Sequence, residues 1–132
     1  MEFLQYPHII KVFLASFLAI LFLQSGLDKI FDWKGNLGWL QGHFSKTFLK
    51  GRVPLLLGIV TVTEILAGGC SLVGLVQIIV YLKSHIAYYG ALLSALSLIM
   101  LFFGQRIAKD YAGAATLVPY FILSIVAMVM LH

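Results

Sequence analysis

Glu64 is the residue whose type and position most demand an explanation. It lies near the middle of an apolar stretch, Pro54 to Val80, that reads PLLLGIVTVTEILAGGCSLVGLVQIIV. As a helix rising about 1.5 Å per residue, such a stretch spans the roughly 30 Å hydrocarbon core of a bilayer. A charge at the centre of a spanning helix costs at least about 2.5–3.5 kcal/mol, so it normally turns inward and has a partner. Whether such a carboxylate keeps its charge depends on a cation beside it. Arg106 is the nearest candidate by depth among the cations of the third apolar run, provided its side chain turns inward. Gln24, Ser94, Ser97, Thr116 and Tyr120 are the neutral hydrogen-bond candidates.

A second polar group gathers at one end of the apolar runs. Gln24, Asp28 and Lys29 close the first run, while Gln105, Arg106 and Asp110 leave the third. Opposite charges confined there can pair and lock the connections, which is favoured over a polar ligand pocket. The histidines give no haem or metal motif. His8, His85 and His132 fall at the ends of apolar runs and His43 lies in a connection, so none is in mid-membrane. Cys70 is the single cysteine, which excludes an internal disulfide and a CxxC pair. There is no Ser/His/Asp order, phosphate loop or HExxH, so no catalytic residue is assigned.

These residues sit in a chain of 132 residues that is 61% hydrophobic and 11% charged, with a mean hydropathy of +1.01. That composition excludes an ordinary soluble domain and a disordered chain. The net charge of +4 does not point to nucleic acid, because the basic residues fall in the short connections. One domain over 1–132 is expected, with membrane spans at about 9–27, 54–82, 86–104 and 112–131. The first run is read as a permanent span rather than a signal peptide, since Gln24 to Lys29 lacks an A-x-A cleavage pattern. The fold class expected is all-α: a four-helix antiparallel transmembrane bundle in contact with the lipid bilayer.

Lys29, Lys34, Lys46, Lys50, Arg52, Arg106 and Lys109 lie on one side of these spans, with Lys11 and Lys83 on the other. The positive-inside rule then places both basic connections in the cytoplasm and both termini outside. Within 28–52, Trp33, Leu37, Leu40, Phe44 and Phe48 recur at helical spacing, opposed by Gly35, Gly38 and Gly42. A partly helical, interfacial or re-entrant segment is expected there.

Small and polar residues form a stripe on each span, suited to close helix packing in lipid. The stripes are Ser16, Ala19 and Gly26; Gly58, Thr61, Glu64, Gly68 and Ser71; Ala87, Gly90, Ser94 and Ser97; and Gly113, Thr116, Tyr120, Ser124 and Ala127. Turned inward, they would place Glu64 inside the bundle.

Three segments resemble the DoxX family of bacterial membrane proteins. Phe22-Leu23-Gln24-Ser25-Gly26-Leu27-Asp28-Lys29-Ile30-Phe31 is similar to its signature at the end of the first helix. Glu64 with Ala67-Gly68-Gly69 resembles its second-helix segment, and Arg106 to Ala114 its third connection. The resemblance carries over Gly26, Lys29, Glu64 and Gly68. It implies a multi-pass protein of the bacterial inner membrane, in some members an accessory subunit of a quinone-linked oxidoreductase. No electron carrier is recognisable here, so a redox role would need a partner subunit or a bound quinone. Two other readings stand beside it: a small transporter or lipid-handling protein using Glu64, and a structural bundle or assembly chaperone.

Overall fold

The computed structural model describes residues 6–48 and 50–132. Of the polar start expected over 1–8, the first five residues lie outside the described residues. The described chain is all-helical, in the order α1 (Tyr6–Phe31), α2 (Trp33–His43), a 3-10 turn (Lys50–Arg52), α3 (Val53–Tyr81), α4 (His85–Ile107) and α5 (Tyr111–Leu131). Four of these helices are long and apolar enough to cross a membrane: His8–Phe31 within α1, and the whole of α3, α4 and α5.

Local chemistry sets the helix ends. Pro54 stands in the first turn of α3, where its missing N–H leaves no helical bond unmade. Leu82 closes α3 in the left-handed region at φ 60°. The α4–α5 corner is a Schellman ending on a non-glycine residue. Lys109 takes φ 61°, its N–H donates to Arg106 O, and the Asp110 N–H donates to Gln105 O at 2.9 Å. Asp110 then caps α5, its Oδ1 accepting from Gly113 N at 2.9 Å. Replacing Asp110 with Ala should cost about 1 kcal/mol through loss of that cap. Thermal unfolding in detergent would measure it, and an unchanged midpoint would show that the cap contributes nothing.

α1 runs farther than expected. It continues through Asp28 and Lys29 to Phe31, where the sequence suggested a polar connection from residue 28. The charged Lys29 is satisfied from within the helix and from α3, as described below, so the helix has no reason to end there. Asn36 then ties α1 to α2, its Nδ2 donating to Asp32 O at 2.9 Å and Asp28 O at 3.3 Å. α2 buries no residue.

The bundle core draws on all four long helices. Leu14, Ala15, Leu18 and Phe22 meet Ala67 and Ile78, Ala87, Ala91 and Leu98, and Ala127 and Leu131. The stripes expected on α3 and α4 are largely those that turn inward: Thr61, Glu64, Gly68 and Ser71, with Ala87, Gly90, Ser94 and Ser97, are buried. Gly58 is half-buried, and a Cβ there would meet only Trp33 Cη2, at 3.9 Å. On α1, Ala19 and Gly26 are buried while Ser16 is half-buried.

Backbones approach most closely at glycines. A Cβ on Gly68 would fall 2.7 Å from Leu23 N, and one on Gly74 would collide with the Ala87 backbone. Along α1 and α3, Gly26 meets Ile65 while Leu23 meets Gly68; along α3 and α4, Ser71 meets Gly90 while Gly74 meets Ala87.

The face expected on α5 turns inward in its second half, at Ser124 and Ala127, but not in its first. Its buried residues are Ala114, Ser124, Ala127 and Leu131, whereas Thr116 and Tyr120 are exposed. The Thr116 hydroxyl donates to Gly113 O of its own helix, so it needs no partner across the bundle. Tyr120 is 37% exposed and its ring lies 6.4 Å from that of Phe17. Alanine rather than the small polar residues supplies the close-packing positions near the start of this helix.

Candidate functional site

Glu64 is buried, with 1% of its surface exposed. The cation beside it is Lys29, not Arg106: Lys29 Nζ lies 2.9 Å from Glu64 Oε1. Continuation of α1 past Asp28 brings the lysine to this depth, and the Lys29 stem folds back along its own helix. Its ammonium also donates to Ser25 Oγ at 2.9 Å. Among the described residues no aligned hydrogen bond reaches Oε1, so the contact with the ammonium is one of charge rather than of directed bonding. The Lys29 side chain is 18% exposed, against 1% for Glu64. The pair therefore has one end sealed in the bundle and one end near a surface.

That surface is the wall of a cavity of about 350 Å³. Asn36, Trp39 and Leu40 of α2, with Phe44 just beyond it, cover one side. Val53, Leu57 and Val60 of α3 and Met100, Leu101 and Phe103 of α4 form much of the rest. The polar residues in the wall are Lys29, Asn36 and Gln105. A wall that is mostly apolar with a few converging polar groups is the usual form of a small-molecule site.

α2 is held over the cavity at its C-terminal end. His43 Nε2 lies 2.9 Å from Gln105 Oε1 and 3.7 Å from Asp110 Oδ2. The imidazole stacks on Trp39, with ring centroids 4.5 Å apart. Gly104 leaves room for Phe44 alongside, where a Cβ would stand 3.4 Å from Phe44 Cζ. The ion-pair cluster expected at this end is thus built differently. Asp110 works as a helix cap and faces His43, while the Arg106 guanidinium lies 4.7 Å above the Tyr111 ring. Gln24 is exposed. Ser94 and Ser97 are buried but donate to Gly90 O and Leu93 O of their own helix.

Of the candidates named from sequence, the fold brings Lys29 to Glu64 and leaves Gln24, Arg106 and Tyr120 elsewhere. Sequence reasoning missed His43, Trp39 and Asn36. The i, i+4 spacing of Trp39 and His43 on one helical face was the available signal.

At the opposite ends of α4 and α5, a second cavity of about 420 Å³ is lined by residues that include Ser84, His85, Tyr88 and His132. Gln77 lies 3.1 Å from His85 Nε2 and accepts from Ile86 N, while the Ser84 hydroxyl donates to Leu131 O. Among the described residues, no group of three or more His, Cys, Asp or Glu side chains is placed to hold a metal ion.

No protein-family model matches the chain, and neither a curated protein nor a solved structure gives a significant match.

Proposed function

We propose that this chain is a multi-pass protein of a bacterial inner membrane whose four long helices span as an antiparallel bundle, and that its cavity binds a membrane-soluble amphiphile. The observation that carries the reading is the placing of Lys29: it is fixed by a carboxylate buried behind it, and it lines a largely apolar cavity. A lysine held in this way offers a polar anchor beside an apolar wall, and intramembrane ionisable groups commonly mark ligand or ion pathways. The pairing of Gly26 with Ile65 and Leu23 with Gly68 runs in opposite senses along α1 and α3, which supports the antiparallel arrangement. The concentration of Lys and Arg between α1 and α3 and between α4 and α5 favours both termini outside.

The DoxX-like segments support an accessory, non-catalytic role in a membrane complex, with a quinone as the amphiphile that the resemblance implies. Transport or lipid handling through Glu64 is the second reading. It is favoured by the way Lys29 links the buried carboxylate to the cavity, and it requires the pair to open during each cycle.

The chain contains two tryptophans, of which Trp39 lines the cavity. Decylubiquinone added to the protein in nanodiscs should quench fluorescence saturably, and Trp39→Phe should remove the saturable part. Linear quenching that is the same in both proteins would refute a site at this cavity and leave the pair as a clamp between α1 and α3.

A further inference from the structure

Building on that binding role, we infer that the cavity selects amphiphiles with an electroneutral head, and that Glu64 sets this selectivity from behind the wall. Lys29 is the charged residue in the lining, and Glu64 is not itself part of it. The two charges lie 2.9 Å apart. Seen from the cavity, the pair sums to zero. An anionic head beside Lys29 would leave a net negative charge in apolar surroundings, and a cationic head would be repelled by the ammonium. Either charge would lose its hydration with no free counter-charge to replace it.

A neutral head meets no such cost and finds matching hydrogen-bond groups. Beyond the two given to Ser25, to Oγ at 2.9 Å and to the carbonyl O at 3.5 Å, Lys29 has one N–H left. Gln105 has its Oε1 against His43, which leaves its amide N–H groups as donors. Asn36 uses Nδ2 on the Asp28 and Asp32 carbonyls, which leaves Oδ1 as an acceptor. Two donors and one acceptor around an apolar cavity fit a hydroxyl or carbonyl head on a hydrocarbon tail. The other nearby charged groups are not among the residues that line the wall. His43 and Asp110 face each other behind Gln105, and Arg106 lies over Tyr111.

The test uses one tail with three heads: ω-bromoundecanol, ω-bromoundecyl sulfate and ω-bromoundecyl trimethylammonium. The saturable part of bromine quenching that disappears in Trp39→Phe reports occupancy of the cavity in nanodiscs of zwitterionic lipid, since the exposed face of Trp39 also meets probe dissolved in the lipid. In the unsubstituted protein the alcohol should bind at least about tenfold more tightly than either charged probe, as expected for an unmatched charge in a partly open apolar site. Glu64→Gln leaves Lys29 unmatched and should move the preference towards the sulfate. Lys29→Gln leaves Glu64 unmatched and should move it towards the trimethylammonium.

Equal Trp39-dependent quenching by all three heads would overturn the selectivity while leaving the binding role standing. An alcohol-to-sulfate ratio unmoved by a folded Glu64→Gln protein would also overturn it. Absence of Trp39-dependent quenching by every head would instead remove the binding role itself. If neither variant folds, the three-head series on the unsubstituted protein decides.

Discussion

Lys29→Met should be the most damaging single substitution in the bundle, and more damaging than Glu64→Leu. The two partners are not equivalent. Glu64 is 1% exposed, whereas the Lys29 side chain is 18% exposed and ends at the cavity wall. Removing the lysine strands a buried carboxylate inside the bundle. Removing the glutamate leaves an ammonium that can swing towards Ser25, Gln105 or the cavity mouth. Breaking a buried pair from one side costs about 3–5 kcal/mol, and the lower end of that range suits a pair with one partly exposed member. The double variant Lys29→Met/Glu64→Leu removes both charges and should recover most of the loss. Denaturation in mixed micelles, compared across the two single variants and the double, gives the coupling directly. If Lys29→Met were no worse than Glu64→Leu, or the double variant no better than either, the pair would not be coupled as its geometry requires.

Gly74→Ala should be nearly as disruptive, although it adds one methyl group. The new Cβ would meet the backbone N and Cα of Ala87 rather than the end of a flexible side chain. Backbone cannot give by rotating a χ angle, so α3 and α4 must move apart. Their separation would also loosen the nearby Ser71–Gly90 contact, where a Gly90 Cβ would stand 2.8 Å from Ser71 N. Overpacking of a close-packed interior costs about 1–3 kcal/mol, and a backbone clash belongs at the upper end. In lipid no hydrophobic gain between helices offsets it, because packing itself is the driving term. Gly38→Ala, at an exposed position of α2 with open space around its Cβ, is the matched control and should be neutral or slightly stabilising. Unfolding midpoints of the two variants settle the comparison, and equal midpoints would contradict the close approach at Gly74.

The four long helices were legible because apolar length alone declares them. The buried faces of α3 and α4 were legible because small residues recur at helical spacing with few competitors. The first half of α5 was misread because Gly113, Thr116 and Tyr120 form as regular a stripe as Ala114, Leu117 and Phe121, and periodicity does not rank two stripes. A threonine that bonds its own helix carries no inward demand, and its letter does not reveal that. The partner of Glu64 was misassigned for a related reason. Depth in the sequence placed Lys29 in a connection, and only the continuation of α1 to Phe31 carries it beside α3. The partly helical segment expected within 28–52 is α2, legible from the spacing of its apolar residues; that Trp39 and His43 stand over a cavity was not, since three glycines weakened the helix and left its seating on the bundle undefined.

The absence of buried residues in α2 divides the molecule into parts of unequal durability. The four long helices interlock through the core and at glycine contacts, so none can leave without dismantling the rest. α2 is joined to them by the Asn36 splice at one end and by His43 and Phe44 at the other. Detaching it would break those surface interactions and leave the core contacts of the four long helices in place. Local opening of this kind draws on a free energy far below that of global unfolding. Occupancy of the cavity would then be governed by two separable quantities: a lifetime set at His43 and an affinity set at Lys29 and the apolar wall.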